Sequence, residues 1–187
     1  MPASHLIDAP ANSAVLLMDL QVDFLDANGR MPVSLRDAQA VIAAANAILN
    51  GQVLRGVSPI FIVNAFPCAS LSNFFRRNAA IAGSDGARID PRLAASAGIA
   101  TFAKQSSSAF TNRELEAFLR ARDIQTLFVL GVFAEGCVRA TVSEALRKGF
   151  KVVVVEDAIG SNLSWKRRFA LWSMKRNGAS SLSFNLS

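Results

Sequence analysis

The sequence predicts an α/β fold in which a parallel sheet is covered by helices on both faces. Short apolar segments alternate along the chain with longer segments of helical periodicity. The apolar segments lack the polar alternation of a half-exposed strand, and residues 152–155 are four consecutive valines. Strands that are buried on both faces have this character, and parallel strands need a crossover between them. The chain has 187 residues, of which 51% are hydrophobic, so we expect a single domain over residues 1–187.

Three strands are predicted in the first half of the chain. They are the apolar segments at residues 13–18, 58–63 and 99–103. Between the first two, the alanine-rich residues 36–54 predict a helix that ends near Gly51 or Gly56. Residues 66–98 have an irregular pattern, in which a short helix is expected at 72–81.

The second half of the chain continues the alternation. Strands are expected at residues 126–130 and 152–155, and an edge strand at 180–184. Thr111 and Glu114 have the spacing of a capping box, which predicts a helix that begins there and ends at Arg122. Further helices are predicted at residues 137–148 and 164–177. No repeat, low-complexity tract or linker divides the chain.

Composition excludes several classes of function. The net charge is +6, but the basic residues are dispersed and match no nucleic-acid-binding pattern. Apolar runs such as those at 15–18 and 152–155 are far below the ~18 residues of a membrane span. The first residues lack the charged start and apolar core of a secretory signal, and Cys68 and Cys137 form no disulfide framework. We therefore expect a soluble, cytoplasmic protein with no nucleic-acid or membrane partner.

Three side chains able to do chemistry follow predicted strands: Asp19, Lys104 and Cys137. Ligands of parallel α/β sheets bind beyond the carboxyl ends of the strands, so we expect the three to meet there. Cys137 lies where a strand gives way to a predicted helix, and the free N–H groups of a helix start favour a thiolate. Taken singly, each residue also has an ordinary explanation: a buried cysteine, a capping or metal-binding aspartate, and a solvent-exposed lysine.

The base for such a thiol is expected to be a carboxylate or an amine. His5 is the only histidine, and it lies in a polar N-terminal arm that would have to reach the site. A carboxylate such as Asp19 stays anionic beside the ammonium of Lys104 and still accepts a thiol proton.

Several segments together resemble the isochorismatase-like cysteine hydrolases. They are residues 19–24, 104–110, 131–138 and 155–158, with Ala140, Thr141, Ala145 and Gly149. The resemblance implies a Rossmann-like three-layer sandwich with a mostly parallel six-stranded sheet. It also implies a catalytic triad of Asp19, Lys104 and Cys137, no cofactor, and a homo-oligomer, either a dimer or a tetramer.

The resemblance also bears on the oxyanion hole and on metal binding. Members commonly carry a non-proline cis peptide before the cysteine turn, which here falls between Val132 and Phe133. This implies that the backbone N–H groups of Phe133 and Cys137 form the oxyanion hole. Nicotinamidase-like members place an Asp-x-His metal motif after the second strand, where this chain has Asn64, Ala65 and Phe66, so no metal site is expected.

The implied activity is hydrolysis of a C–N bond (amide, carbamoyl or ureido) in a small-molecule substrate through a cysteine thioester. Two alternatives stay open: an isochorismatase-type enol-ether hydrolase in which Asp19 is the acid, and a non-catalytic small-molecule-binding homologue. An intact Cys137 favours C–N bond hydrolysis over enol-ether hydrolysis, because protonation of an enol ether needs no thiol.

The sequence identifies the substrate-binding side chains less clearly than the catalytic ones. Aromatic residues near predicted strand ends are candidates for a small apolar pocket, with core packing as the alternative; they are Phe24, Phe66, Phe110 and Phe133. Arginines in the irregular region suit either a substrate carboxylate or solvent; they are Arg76, Arg77 and Arg88. Residues 36–54 and the face of Trp165, Phe169 and Trp172 offer surplus apolar surface for an oligomer.

Overall fold

The computed structural model describes residues 6–68, 74 and 76–184. Within these residues, six strands form one sheet. They are β1 (Ile7–Met18), β2 (Leu54–Asn64), β3 (Ala100–Lys104), β4 (Thr126–Val132), β5 (Lys151–Gly160) and β6 (Ser180–Leu182). The strands lie in the order β3, β2, β1, β4, β5, β6, and each neighbouring pair is parallel. The expected α/β fold with a mostly parallel six-stranded sheet is confirmed.

Helices cover both faces of the sheet. They are α1 (Val22–Leu25), α2 (Leu35–Leu49), α3 (Arg113–Ala121), α4 (Arg139–Arg147) and α5 (Ser164–Arg176). The apolar side chains of α2 join the core on one face, whereas those of α3, α4 and α5 join the core on the other. In the described part of the chain, no helix combines the length and apolar character needed to cross a membrane.

Strand β1 shows why the strands lack polar alternation. Val15 and Leu17 belong to the core beneath α2, while Leu16 and Met18 belong to the core beneath the other helices. All four side chains are fully buried. A central strand with helices on both sides has no solvent-facing side, so its sequence is a continuous apolar run.

Several predicted boundaries in the first half were wrong. The helix predicted at residues 36–54 ends at Leu49, because Gly51 adopts a left-handed conformation with φ +65° and β2 already begins at Leu54. The helix expected at 72–81 is not present in its described residues: residues 74 and 76–80 form turns, and Ile81 forms an isolated bridge with Phe66. Residues 72, 73 and 75 lie outside the described part.

Two predicted helix starts also shifted. The capping residue of α3 is Asn112 rather than Thr111: its side chain accepts the N–H of Glu114 at 2.9 Å. The helix predicted from Cys137 begins at Arg139, because the preceding turn, Ala134–Val138, contains Gly136 in a non-helical conformation. Cys137 therefore lies in a turn ahead of the regular helix.

The strand order reverses between β1 and β4, which makes their carboxyl ends the switch point of the sheet. Gly131 allows the close approach of these strands. Its φ is +122°, and a Cβ atom there would lie 2.1 Å from the carbonyl oxygen of Met18. The close approach of Gly131 to Met18 therefore lies at the carboxyl ends of β1 and β4, at the switch point.

Candidate active site

Asp19 leaves the end of β1 in a left-handed conformation, with φ +56°. Its N–H donates to the carbonyl of Ile62 at 2.8 Å, and its own carbonyl accepts the N–H of Gln21 at 2.8 Å. Aspartate tolerates this backbone region better than most residues with a side chain. The tight turn directs the chain away from the sheet and leaves the Asp19 carboxylate almost fully buried.

Lys104 reaches this carboxylate from the end of β3, on the far side of β2. Its Nζ atom lies 3.0 Å from Asp19 Oδ2 and 3.2 Å from Cys137 Sγ. The two charged side chains are 0% and 1% exposed. The structure thus brings together all three residues that the sequence singled out.

The ammonium of Lys104 has two further acceptors that sequence reasoning missed. Asn64 Oδ1 accepts a hydrogen bond from Nζ at 2.6 Å, and the carbonyl of Ser106 accepts another at 3.2 Å. Asn64 ends β2, between the strands of Asp19 and Lys104, so strand-end position was a signal that could have identified it. From the sequence, Asn64 served only as evidence against a metal motif.

Neither oxygen of the Asp19 carboxylate accepts a well-aligned hydrogen bond from the described residues. Burial raises the pKa of Asp19 above its ordinary value, and the charge of Lys104, with Cys137 and Asn64 beside it, opposes that rise. The carboxylate is therefore held by its ion pair with Lys104, and its oxygens can still accept a proton from a neighbouring group.

Burial also raises the pKa of the Cys137 thiol, to about 12, with the negative charge of Asp19 adding to the rise and Lys104 opposing it. For Lys104 itself, burial lowers the pKa, but the negative charges of Asp19 and Cys137 outweigh that effect and raise it. Burial and the Asp19 charge thus act against the thiolate that a helix start was expected to favour. A thiol in this environment needs a base to become a nucleophile.

A cavity of about 430 Å³ opens beside Cys137. The side chains of Phe24 and Phe133 meet edge to face at its wall, with ring centroids 5.7 Å apart, and Phe66 also lines it. Uncharged polar side chains also line it: Asn64, Gln105, Ser106, Ser107 and Asn162. An aromatic cavity of this size with a few polar groups suits a small organic molecule.

Phe110 does not line this cavity, which corrects the expectation for that residue. It is 5% exposed and stacks on Phe150 in the core beneath α3, α4 and α5, with the centroids 5.7 Å apart. The short 3-10 turn at Ala109–Thr111 sends the chain from the end of β3 back over the sheet, so the Phe110 ring packs inward.

Charged side chains border the cavity. The guanidinium of Arg76 lies 3.8 Å from the centroid of the Phe66 ring. Glu135 also lines the cavity; it accepts a hydrogen bond from the hydroxyl of Ser161 at 2.8 Å, and its carboxylate lies 3.8 Å from Lys166 Nζ. Of the three arginines considered, Arg76 is the one that contacts the cavity; Arg88 instead pairs with Asp85 on the surface.

The turn before Cys137 contains a cis peptide bond between Val132 and Phe133. The carbonyl of Phe133 accepts the N–H groups of Gly136 and Val138, at 3.0 and 3.2 Å. These two bonds close the turn that carries the thiol.

Asn64 and Phe66 stand where an Asp-x-His metal motif would have its two ligands. Among the residues that the structure describes, no three His, Cys, Asp or Glu side chains form a group suited to a metal ion. An amide and a phenyl ring offer no strong ligand for zinc or a similar cation. His5 lies outside the described residues.

Comparison with known sequences gives one domain match and several relatives. The chain matches the isochorismatase domain over residues 13–184. It is 42% identical to N-carbamoylsarcosine amidase from Arthrobacter over 82 residues, which is 44% of this chain and 31% of that protein. It is 33% identical to maleamate amidohydrolase from Pseudomonas putida over 72 residues, 38% of this chain and 34% of the relative. The matches thus span about a third of the length of these two relatives.

Solved structures share the fold over nearly the whole chain. An isochorismatase-like hydrolase from Alkaliphilus metalliredigens superposes with a TM-score of 0.85, at 21% identity, covering 94% of this chain and 96% of that one. An N-carbamoylsarcosine amidase from Thermoplasma acidophilum superposes with a TM-score of 0.79, at 22% identity, covering 94% and 98%. At these identities the likeness concerns the fold.

Proposed function

The chain belongs to the isochorismatase family, and we propose that it is an amidohydrolase that cleaves a C–N bond through a cysteine thioester. One observation carries this proposal: Lys104 Nζ lies between the Asp19 carboxylate and the Cys137 sulfur, at 3.0 and 3.2 Å. The proposed nucleophile and the proposed base thus both contact one cation, and the nucleophile lines a cavity for a small molecule.

The first step is attack of sulfur on the substrate carbonyl. Because the Cys137 thiol has a raised pKa, its proton must leave as the S–C bond forms, and Asp19 accepts it. The raised pKa of Asp19 makes it a stronger base than an exposed aspartate. Lys104 stays positive throughout and compensates for the negative charge that moves from carboxylate to sulfur.

The carbonyl oxygen becomes negative as the tetrahedral intermediate forms. We propose the backbone N–H groups of Phe133 and Cys137 as its donors; each such donor contributes roughly 3 to 4 kcal/mol to lowering a barrier of this kind. Phe133 N–H donates to no acceptor within the described residues, which leaves it available to a substrate.

Collapse of the intermediate breaks the C–N bond, and Asp19 returns its proton to the leaving nitrogen. This leaves an acyl group on Cys137 as a thioester. Asp19 then accepts a proton from water, the resulting hydroxide equivalent attacks the thioester, and the acid product and free thiol are released. Each proton taken by Asp19 is returned within the cycle.

The substrate class follows from the cavity and the relatives together. Aromatic walls and a volume of about 430 Å³ suit a small amide, carbamoyl amine or ureido acid. N-carbamoylsarcosine and maleamate, the compounds in the names of two relatives, belong to this class and are the first compounds to test.

A second candidate, enol-ether hydrolysis, is favoured by the raised pKa of Asp19, because a carboxyl group that holds its proton can act as an acid. In that reaction Cys137 would be dispensable. Comparison of two variants therefore separates the reactions: Cys137→Ala removes the nucleophile, and Asp19→Asn removes the acid or base.

The test is turnover of a panel of small amides, carbamoyl amines, ureido acids and enol ethers. We expect C–N cleavage by the wild type, loss of activity in Cys137→Ala and Asp19→Asn, and a covalent acyl adduct on Cys137 in mass spectra of rapidly quenched reactions. Cys68→Ala is the matched control, because Cys68 is exposed. Full turnover by Cys137→Ala with an inactive Asp19→Asn would reject the thioester route.

We also propose that the protein is a homo-oligomer. Trp165, Phe169 and Trp172 on α5 are 59%, 55% and 53% exposed, which is unusual for aromatic side chains on a monomer surface. The apolar face of α2, in contrast, is used by the core beneath it. A monomer mass from light scattering at micromolar concentration would contradict this proposal.

A further inference from the structure

Asn64 has the shortest contact with the ammonium of Lys104, at 2.6 Å from Oδ1 to Nζ. Asn64 Oδ1, the carbonyl of Ser106 and Cys137 Sγ account for the three protons of the ammonium, and the Asp19 carboxylate lies beside it as its ion-pair partner. Lys104 can donate but not accept, so the side-chain oxygen of Asn64, and not its nitrogen, must face it. The chemistry of the contact therefore determines the orientation of the amide.

Asn64 is itself held by Gln21. Gln21 Nε2 donates to the carbonyl of Asn64 at 2.8 Å, and Asn64 N–H donates to Gln21 Oε1 at 2.8 Å. Gln21 Nε2 also donates to the carbonyl of Ala87 at 2.7 Å. Both residues are buried, at 3% and 0% exposed, and Gln21 follows Asp19 by two residues. The reciprocal pair ties the end of β2 to the turn that carries Asp19.

We propose that Asn64 is a positioning residue that, supported by Gln21, holds the Lys104 ammonium between Asp19 and Cys137. Its consequence for catalysis rests on the function proposed above. Lys104 has four rotatable bonds in its side chain, and a fixed acceptor on the third side of Nζ limits the positions that the ammonium adopts. Asn64 also lines the cavity, but the role proposed here is exerted through Lys104.

A neutral amide suits this place better than a carboxylate. An aspartate would also bind the ammonium, but it would add a second negative charge beside Asp19 and oppose formation of a thiolate on Cys137. Asn64 is also beside Asp19, and it acts to lower the pKa of the Asp19 carboxylate. Replacement of Asn64 should therefore change the acid-base behaviour of the thiol, which a purely structural residue would not do.

The experiment measures alkylation of Cys137 by iodoacetamide as a function of pH, in a Cys68→Ala background so that one thiol reports. Two variants are compared: Asn64→Asp, which keeps the shape and adds charge, and Asn64→Ser, which is neutral but too short to reach Nζ. Asn28→Asp, the same substitution at an exposed position, is the matched control. Circular dichroism and thermal unfolding establish that each variant is folded.

For Asn64→Asp we expect the midpoint of the alkylation rate against pH to rise by at least about one pH unit. At a given pH below the midpoint, the reaction is then about tenfold slower. Asn64→Ser should move it in the same direction by less, and Asn28→Asp should match the background. With a substrate that the wild type hydrolyses, kcat should fall at least tenfold in both Asn64 variants, while KM changes by no more than about twofold.

Wild-type alkylation profiles in both folded Asn64 variants would overturn the proposal. If neither variant folds, a crystal structure of the wild type decides: separation of Lys104 Nζ from Asn64 Oδ1 by more than about 3.5 Å would also overturn it. Alkylation needs no substrate, so the outcome is separate from that of the proposed function. A shifted profile without any C–N hydrolysis would retain Asn64 as a positioning residue and reject the amidohydrolase.

Discussion

Replacement of Lys104 by methionine would test the ion pair on which the site depends. The substitution keeps most of the side-chain volume but leaves the Asp19 carboxylate without its partner. At 3.0 Å, the attraction between the two charges is about 5 to 6 kcal/mol for an effective dielectric constant of ~20. Both side chains are essentially unexposed, so water cannot replace the lost partner.

Removal of one member of a buried ion pair typically costs about 3 to 5 kcal/mol. We expect Lys104→Met to lower the free energy of unfolding at pH 7.5 by about 4 kcal/mol and the melting temperature by about 10 °C. Urea unfolding followed by circular dichroism measures the change. Tryptophan fluorescence is a weaker probe, because Trp165 and Trp172 are more than half exposed in the folded protein.

The deficit should depend on pH in one direction. Burial raises the pKa of Asp19 in the folded state, and loss of Lys104 removes the charge that opposes this rise. The folded variant then binds a proton more tightly than the unfolded chain, so its stability rises as the pH falls toward the unfolded pKa. We expect a clearly smaller deficit at pH 5 than at pH 7.5.

The double variant Asp19→Asn, Lys104→Met is the control, because it removes both charges. It should recover most of the lost stability and remain inactive. A single variant within about 1 kcal/mol of the wild type at pH 7.5, or a deficit that grows on acidification, would refute the reasoning.

Three further predictions concern individual side chains. Cys137→Ser should lower kcat by about three orders of magnitude or more in steady-state assays while the circular dichroism spectrum is unchanged, because a hydroxyl ionises less readily than a thiol; a rate near wild type would argue against attack by sulfur. Gly131→Ala should cost more than about 3 kcal/mol in urea unfolding or prevent folding, since its Cβ would lie 2.1 Å from the Met18 carbonyl oxygen; an unchanged midpoint would show that β1 and β4 can separate. Phe110→Leu should lower the free energy of unfolding by roughly 1 to 2 kcal/mol and leave KM unchanged, because Phe110 packs on Phe150. Phe24→Leu should raise KM, because Phe24 lines the cavity. A raised KM in Phe110→Leu but not in Phe24→Leu would mean that the two rings have been assigned wrongly.

Much of the fold was predictable because its signal is local. The run of four valines in β5 and the apolar start of β4 predicted strands without reference to the rest of the chain. Boundaries were less predictable, since they depend on neighbours. β1 begins at Ile7, earlier than its apolar run, because its first residues pair with β2 at Leu54 and Arg55.

The candidate site was predictable in part for the same reason. Asp19 and Lys104 directly follow apolar segments, and parallel strands bring such positions to one edge. Phe110 also follows a strand, but a short turn sends its ring into the core. The direction of a side chain after a strand depends on the turn, which residue type alone does not specify.

The sequence by itself determined the α/β class, the approximate strands and the three residues at their ends. The tertiary structure alone decided what surrounds those residues: the contact of Asn64 with Lys104, 40 positions apart, and the burial that raises the pKa of Cys137. Periodicity is a property of neighbouring residues and can be recognised along the chain. Burial and hydrogen-bond partners depend instead on which distant segments the sheet brings together, because desolvation and charge act through space.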